Sequence, residues 1–197
     1  MKIISAALLD QAHNPSQIPS PPYPQAAVFG RSNVGKSSLL AKLMCRRKLV
    51  KISSTPGKTR AIYYYLINEA LLLVDLPGYG FSKAPRAVAN QWRSLVEAYL
   101  DNDPGPRLAL HLIDIRHSPT KDDIAVHRIL ADRYIPCVTV ATKADKLSRS
   151  AVSRATSVIG RELGEPVELI LPTSAKDSSM SADPLWDRIL EGIGLTP

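Results

Sequence analysis

Two cysteines in 197 residues, Cys45 and Cys137, have neither metal-ligand spacing nor a disulfide framework. That points to a reducing, cytoplasmic setting, with both thiols read as buried or incidental. Long apolar runs are missing as well. The longest, such as Leu71-Leu72-Leu73-Val74, fall far short of a membrane span, so no membrane association is expected. The start, Met1-Lys2-Ile3-Ile4, is interrupted at Asp10 and has no small-residue cleavage site, so it does not read as a signal peptide. No internal repeat or low-complexity tract appears after the proline-rich segment at residues 14–24.

What is present is an ordinary globular composition, 45% hydrophobic and 22% charged, with a formal net charge of +7. The length suits one domain with a proper core. A basic domain attracts polyanions, and a nucleotide alone does not demand that excess.

The stretch Gly30-Arg31-Ser32-Asn33-Val34-Gly35-Lys36-Ser37-Ser38 has the spacing G-x-x-x-x-G-K-S. An apolar run of strand type, Ala26–Phe29, precedes it, and a good helix former, Ser38–Met44, follows. Strand, glycine loop and helix in that order are the context a phosphate-binding P-loop requires. Its glycines let N–H groups turn toward phosphate oxygens, and the helix N-terminus adds partial positive charge. Lys36 is placed for the β- and γ-phosphates and the Ser37 hydroxyl for Mg²⁺.

Pro15, Pro19, Pro21, Pro22 and Pro24 make residues 1–24 an N-terminal, Pro-rich extension that runs extended into the first core strand. Residues 25–197 read as one domain. After the first helix, Arg46, Arg47, Lys48, Lys51, Lys58 and Arg60 form a basic loop that also holds Ser53, Ser54, Thr55, Pro56 and Gly57. Ala61–Asn68 and Leu71–Asp75 are strands joined tightly enough to imply an antiparallel hairpin. Trp92, Leu95, Val96, Tyr99 and Leu100 mark an amphipathic helix. Leu108–Ile113 and Cys137–Ala141 read as buried strands, separated by a helix with Val126, Ile129 and Leu130 inward. Helix Ser150–Leu163, strand Val167–Leu171 and helix Pro184–Ile193 complete an α/β fold. The expectation is a mostly parallel six-stranded sheet with one antiparallel strand and helices on both faces.

Further loops at strand ends select the nucleotide. Asp75-Leu76-Pro77-Gly78 supplies a Walker-B-type acid for Mg²⁺ and a free Gly78 N–H for the γ-phosphate. Thr142-Lys143-Ala144-Asp145 supplies a carboxylate that can accept both N–H donors on the edge of guanine, where adenine presents an acceptor instead. Such a mismatch costs about 1–3 kcal/mol for each unpaired buried group. Thr173-Ser174-Ala175 can offer the Ala175 N–H to guanine O6. Thr120-x-x-Asp123 reads as a capping box opening a helix.

These loops resemble the guanine-nucleotide motifs of Ras-like P-loop GTPases. More narrowly, GRSNVGKSS, TPGKT, DLPGYGF, IDIRHSPTKDD and TKADKL resemble the EngB (YihA/YsxC) ribosome-biogenesis GTPases of the TrmE-Era-EngA-EngB-septin-like superfamily. The resemblance implies GTP hydrolysis to GDP with Mg²⁺, assembly of the large ribosomal subunit with rRNA contacts, and a link to cell division and septation. It implies Thr59 as the switch threonine on Mg²⁺, with Thr55 its local rival. Gly57, Lys58, Thr59, Arg60 and Ala61 then join the nucleotide site, and Lys36, Thr59 and Gly78 carry catalysis. His117 and Arg116 become RNA-contact candidates. Thr142 stands where broader GTPases have Asn; Gln25, Arg60-Ala61-Ile62 and Ser181 depart from the family's usual residues.

Ras-type enzymes place a water-orienting glutamine after the switch-two glycine, where this chain has Tyr79, so slow intrinsic turnover is expected. Asn33 is open to two readings, a K⁺ ligand that raises turnover or a turn-forming residue. A monomer is expected. The competing class is an RNA-binding module in which guanine nucleotide is a structural ligand. A P-loop kinase is disfavoured because no lid segment stands out.

Overall fold

The computed structural model describes residues 1–46, 49, 61–80 and 86–195, with the side chains of residues 86–89 left aside. Seven strands form one sheet. In chain order they are β1 (Ala6–Ala12), β2 (Gln25–Gly30), β3 (Ile62–Ile67), β4 (Leu71–Asp75), β5 (Leu108–Asp114), β6 (Cys137–Thr142) and β7 (Leu171–Pro172). Their spatial order is β1-β3-β4-β2-β5-β6-β7. Among the described residues the helices are α1 (Lys36–Leu43), α2 (Arg86–Leu100), α3 (Lys121–Asp132), α4 (Arg149–Leu163) and α5 (Asp183–Ile193).

All the parallel pairings lie between β4, β2, β5, β6 and β7, and β3 runs against its neighbours on both sides. The expected α/β sheet with one reversed strand is therefore present, with seven strands instead of six. The extra strand, β1, comes from residues 1–24 and pairs with β3 from Ala6↔Ile67 to Ala12↔Ile62, with an irregularity between Leu8 and Asp10. The β3–β4 turn anchors it: Asn68 Oδ1 accepts from the Ile4 and Ser5 N–H groups at 2.8 and 3.1 Å. In the same turn Asn68 and Glu69 have φ of 50° and 54°, both left-handed, and the Ala70 N–H closes the turn on the Ile67 carbonyl at 3.0 Å. The proline segment is not wholly extended, since Pro15–Gln17 makes one 3-10 turn.

β2 shows why a parallel strand reads as continuously apolar. Ala26 and Val28 join one core cluster, with α1 and α5, while Ala27 and Phe29 join the opposite one, with α2 and α3. Trp186 of α5 is fully buried in the first cluster, and Leu95, Val96, Tyr99 and Leu100 of α2 fill the second. Two expectations need correction. Val167–Leu169 is a 3-10 turn, and the last strand is only Leu171–Pro172. On α3, Val126 and Leu130 are buried but Ile129 is 37% exposed, while the His127 side chain is 15% exposed. The inward stripe of α3 runs through Asp123, Val126, His127 and Leu130, so a polar residue takes a core-facing place.

Gln25 and Ser181, two departures from the family pattern, both have local work. Buried Gln25 donates from Nε2 to the Pro104 carbonyl at 2.9 Å and accepts from the Tyr99 hydroxyl at 3.1 Å. Ser181 Oγ accepts from the Asp183 N–H at 3.0 Å as α5 begins.

Candidate functional site

The C-terminal edges of β2, β4, β6 and β7 bring four of the sequence-predicted loops together. The fifth reading, on Thr55, Gly57, Lys58, Thr59 and Arg60, lies outside the described residues, and so does most of the basic loop. Ala61, the last residue of that run, is buried at the entry to β3.

In the P-loop, Gly30 ends β2, and Asn33 and Gly35 adopt φ of 63° and 107°. The second value is open to glycine and strained for other residues. Asn is the side chain that best tolerates the first, so Asn33 has a backbone reason to be there. Lys36, the first residue of α1, forms a salt bridge with Asp75 at the end of β4, and both side chains are almost fully buried. Ser37 and Ser38 sit half-buried in the first turn of α1.

The Asp75–Gly78 loop lies against the P-loop. Ser32 N–H donates to the Tyr79 carbonyl at 3.0 Å, and Arg31 bridges Tyr79 in parallel. A Cβ on Gly78 would stand 3.0 Å from Ser32 N, a contact tight enough that the P-loop backbone would have to shift to admit it. Leu76 is buried, and the Pro77 carbonyl accepts from Trp92 Nε1 at 2.7 Å.

Thr142-Lys143-Ala144-Asp145 ties into the P-loop from the other side. The Thr142 hydroxyl stands 2.7 Å from the Val34 carbonyl and 3.1 Å from that of Ile113. Lys143 Nζ donates to the Asn33 carbonyl at 2.7 Å and to Asp114 Oδ2 at 2.8 Å. Burial alone would raise the Asp114 pKa, but hydrogen bonds from Arg116 and Lys143 outweigh it and hold the carboxyl well below its ordinary range. Ala144 N–H donates to the Thr173 carbonyl at 3.0 Å. Ser174 Oγ donates to Asp145 Oδ1 at 2.6 Å, which lowers the Asp145 pKa, and accepts from the Lys176 and Asp177 N–H groups. The loop holding Ala175 is thus registered on Asp145.

Sequence reasoning missed Lys42 and Asp114 as parts of this frame. Lys42 Nζ on α1 donates to the Ser174 and Asp177 carbonyls at 2.6 and 2.9 Å and also to that of Met180. A lone Lys in a helix carries no signal of such a role. Arg116, an RNA-contact candidate, forms a two-pronged bond to Asp114 at 2.9 and 2.7 Å.

Tyr79 does not point toward the P-loop. It is 5% exposed, and its hydroxyl lies 2.8 Å from His111 Nε2 and donates to Asp123 Oδ1 at 2.8 Å. Burial, followed by the Asp123 charge, raises the Tyr79 pKa well above its ordinary value. Burial pushes that of His111 down to about 4 and that of the Cys137 thiol up to about 12. Asp123 also completes the expected capping box, its Oδ2 accepting from Thr120 N–H at 2.7 Å.

An α/β sheet whose P-loop, Walker-type acid and guanine-type carboxylate converge at the C-terminal strand ends is that of a P-loop GTPase, an enzyme that binds and hydrolyses GTP. The family described as "50S ribosome-binding GTPase" matches residues 25–143. A probable GTP-binding protein EngB of Syntrophomonas wolfei is 47% identical over 161 residues, 82% of this chain and 83% of that protein. One from Caldanaerobacter subterraneus subsp. tengcongensis is 40% identical over 91% of this chain and 92% of that protein. A crystal structure of a probable GTP-binding protein engB superposes with a TM-score of 0.73 at 26% identity, covering 86% of this chain and 98% of that one. The chain belongs to the EngB family of GTP-binding proteins. Among the described residues, no helix is long and apolar enough to cross a membrane.

Proposed function

We propose that this GTPase is a nucleotide-gated assembly factor that acts in the cytoplasm, as a monomer, on large ribosomal-subunit particles and their rRNA, and so supports cell division and septation. The observation that carries the nucleotide part is the joining of three loops on one edge through Thr142–Val34, Lys143–Asn33 and Ser174–Asp145. The ribosomal part draws on the family description and the net charge of +7.

In this reading the Gly30–Ser38 amides and Lys36 hold the phosphates. Asp145 accepts from guanine, Ala175 N–H donates to it, and the Lys143 stem lies alongside. Ser37, Asp75 and Thr59 supply hard oxygen donors of the type Mg²⁺ prefers, and the Ser37 and Asp75 positions flank Lys36. Mg²⁺ held by these oxygens would supply positive charge against the charge developing on the phosphates. Because Asp75 is paired with Lys36, nucleotide and metal compete with that salt bridge for both partners. The unit responsible runs over residues 25–197, with 1–24 adding the edge strand β1. With the Tyr79 hydroxyl engaged in the core, nothing at that position orients the attacking water. Intrinsic turnover is then slow, on the order of the unassisted Ras rate of ~10⁻⁴–10⁻³ s⁻¹.

Sedimentation of ribosomal particles with the protein bearing GDP or a non-hydrolysable GTP analogue tests the gate. The analogue-bound protein should co-sediment with large-subunit particles and the GDP form should not. If Lys36→Ala folds and binds particles with an unchanged nucleotide response, the gate fails, and an RNA-binding module with structural nucleotide takes its place.

A further inference from the structure

Behind Tyr79, on the α3 side of the sheet, three ligand-capable side chains meet: His111 in the middle of β5, His127 on α3 and Cys137 at the start of β6. Their ligand atoms lie within 4.8 Å of one another. The two rings stack, with centroids 5.9 Å apart and 22° between planes.

The oxygen atoms beside each ring decide which nitrogens are free. Since the Tyr79 hydroxyl gives its proton to Asp123, it must accept from the imidazole, so His111 carries its proton on Nε2. His127 Nε2 faces Glu165 Oε1 at 3.5 Å, which draws the proton of that ring to Nε2 as well. Each ring is left with a bare Nδ1 lone pair, and both Nδ1 atoms are buried with no hydrogen-bond partner among the described residues. A buried acceptor left unmade costs about 1–3 kcal/mol, so two in one cluster call for a shared explanation. Histidines held by oxygen partners at one nitrogen, with the other turned to a common point, are how proteins present imidazole to a metal.

We propose that His111, His127 and Cys137 bind Zn²⁺ through the two Nδ1 atoms and the thiolate sulfur, with water as the fourth ligand. Nitrogen and sulfur donors favour Zn²⁺ over Mg²⁺ or Ca²⁺. Tetrahedral bonds to two nitrogens and one sulfur set ligand atoms about 3.3–3.6 Å apart, so ligand atoms that lie within 4.8 Å of one another close by roughly 1 Å as the ion binds. The thiol proton leaves to solvent as Zn²⁺ binds sulfur, and both imidazoles stay neutral. His127 and Cys137 are half-buried, so the cluster is not sealed from solvent. The site joins α3 to β5 and β6 and, through Tyr79, reaches the loop that follows Asp75. It is independent of the nucleotide reading.

Cobalt titration of the reduced Cys45→Ser protein, whose one remaining thiol is Cys137, reads the site directly. One equivalent of Co²⁺ should bind and give a near-ultraviolet thiolate-to-cobalt band, and Zn²⁺ should displace it. His127→Asn should abolish tight binding, and Glu165→Gln should weaken it ~10–100-fold, as loss of an orienting carboxylate does. Should either variant fail to fold, Zn²⁺ protection of the Cys45→Ser thiol against a thiol reagent serves instead. Absence of the thiolate band, or a Cys137 thiol that reacts equally fast at saturating Zn²⁺, overturns the assignment.

Discussion

The Thr142 hydroxyl, at the end of β6, stands 2.7 Å from the carbonyl of Val34 in the P-loop. The Thr142–Asp145 loop is thereby fastened to the P-loop. Thr142→Val keeps the shape and removes the donor. It should cost about 1–3 kcal/mol, or about 2–4 °C in Tm per kcal/mol for a chain of this size. GDP affinity should fall roughly tenfold, the equivalent of 1.4 kcal/mol. An unchanged Kd from calorimetry would mean that the two loops are positioned by other contacts.

Lys36 and Asp75 form a buried pair, so each single substitution strands the other charge. Lys36→Met and Asp75→Leu should each destabilise the nucleotide-free protein by about 3–5 kcal/mol, and the double substitution by clearly less than the sum of those two losses. Urea denaturation of the four proteins measures the coupling; additive losses would contradict the pairing.

Tyr79 sits where a catalytic glutamine is expected, yet its hydroxyl is committed to His111 and Asp123. Tyr79→Phe should therefore lower stability by about 1–3 kcal/mol while single-turnover GTP hydrolysis stays within about threefold, a change of under 1 kcal/mol in the barrier. A far larger drop in hydrolysis would place the hydroxyl in the chemistry.

Asn33 makes a separable claim about rate. If its side chain helps to hold K⁺, hydrolysis in the presence of large-subunit particles should be faster in KCl than in NaCl. Equal rates would leave Asn33 as the residue that accommodates a φ of 63°.

Asp114 links acid stability to the site. Its folded-state pKa lies below the unfolded value, held there by Arg116 and Lys143. Its contribution is complete above the ordinary carboxylate range, near pH 4, and is lost progressively as pH falls further. Asp114→Asn should be less stable than wild type at neutral pH, and the gap should narrow as the pH drops through that range. A gap that stays constant in thermal melts would contradict this linkage.

Much of the molecule was legible in the sequence because it rests on local rules. The P-loop spacing, the apolar runs ending in Asp75 and Thr142, and the Asn68-Glu69 turn each state their own geometry over a few residues. The class of ligand followed from residue chemistry at strand ends. Tertiary structure decided the rest. β1 escaped notice because Ala6–Ala12 is a largely exposed edge strand, so burial leaves no alternation in it. The 3-10 turn at Val167–Leu169 replaced a strand because apolar residues alone do not fix a period. The roles of Lys42, Asp114 and Tyr79 depend on partners 29 to 132 positions away, and spacing cannot carry a contact at that range. His111 shows this most clearly. Within β5 it interrupts an apolar run, and only its placement against Tyr79, His127 and Cys137 turns an interruption into a site.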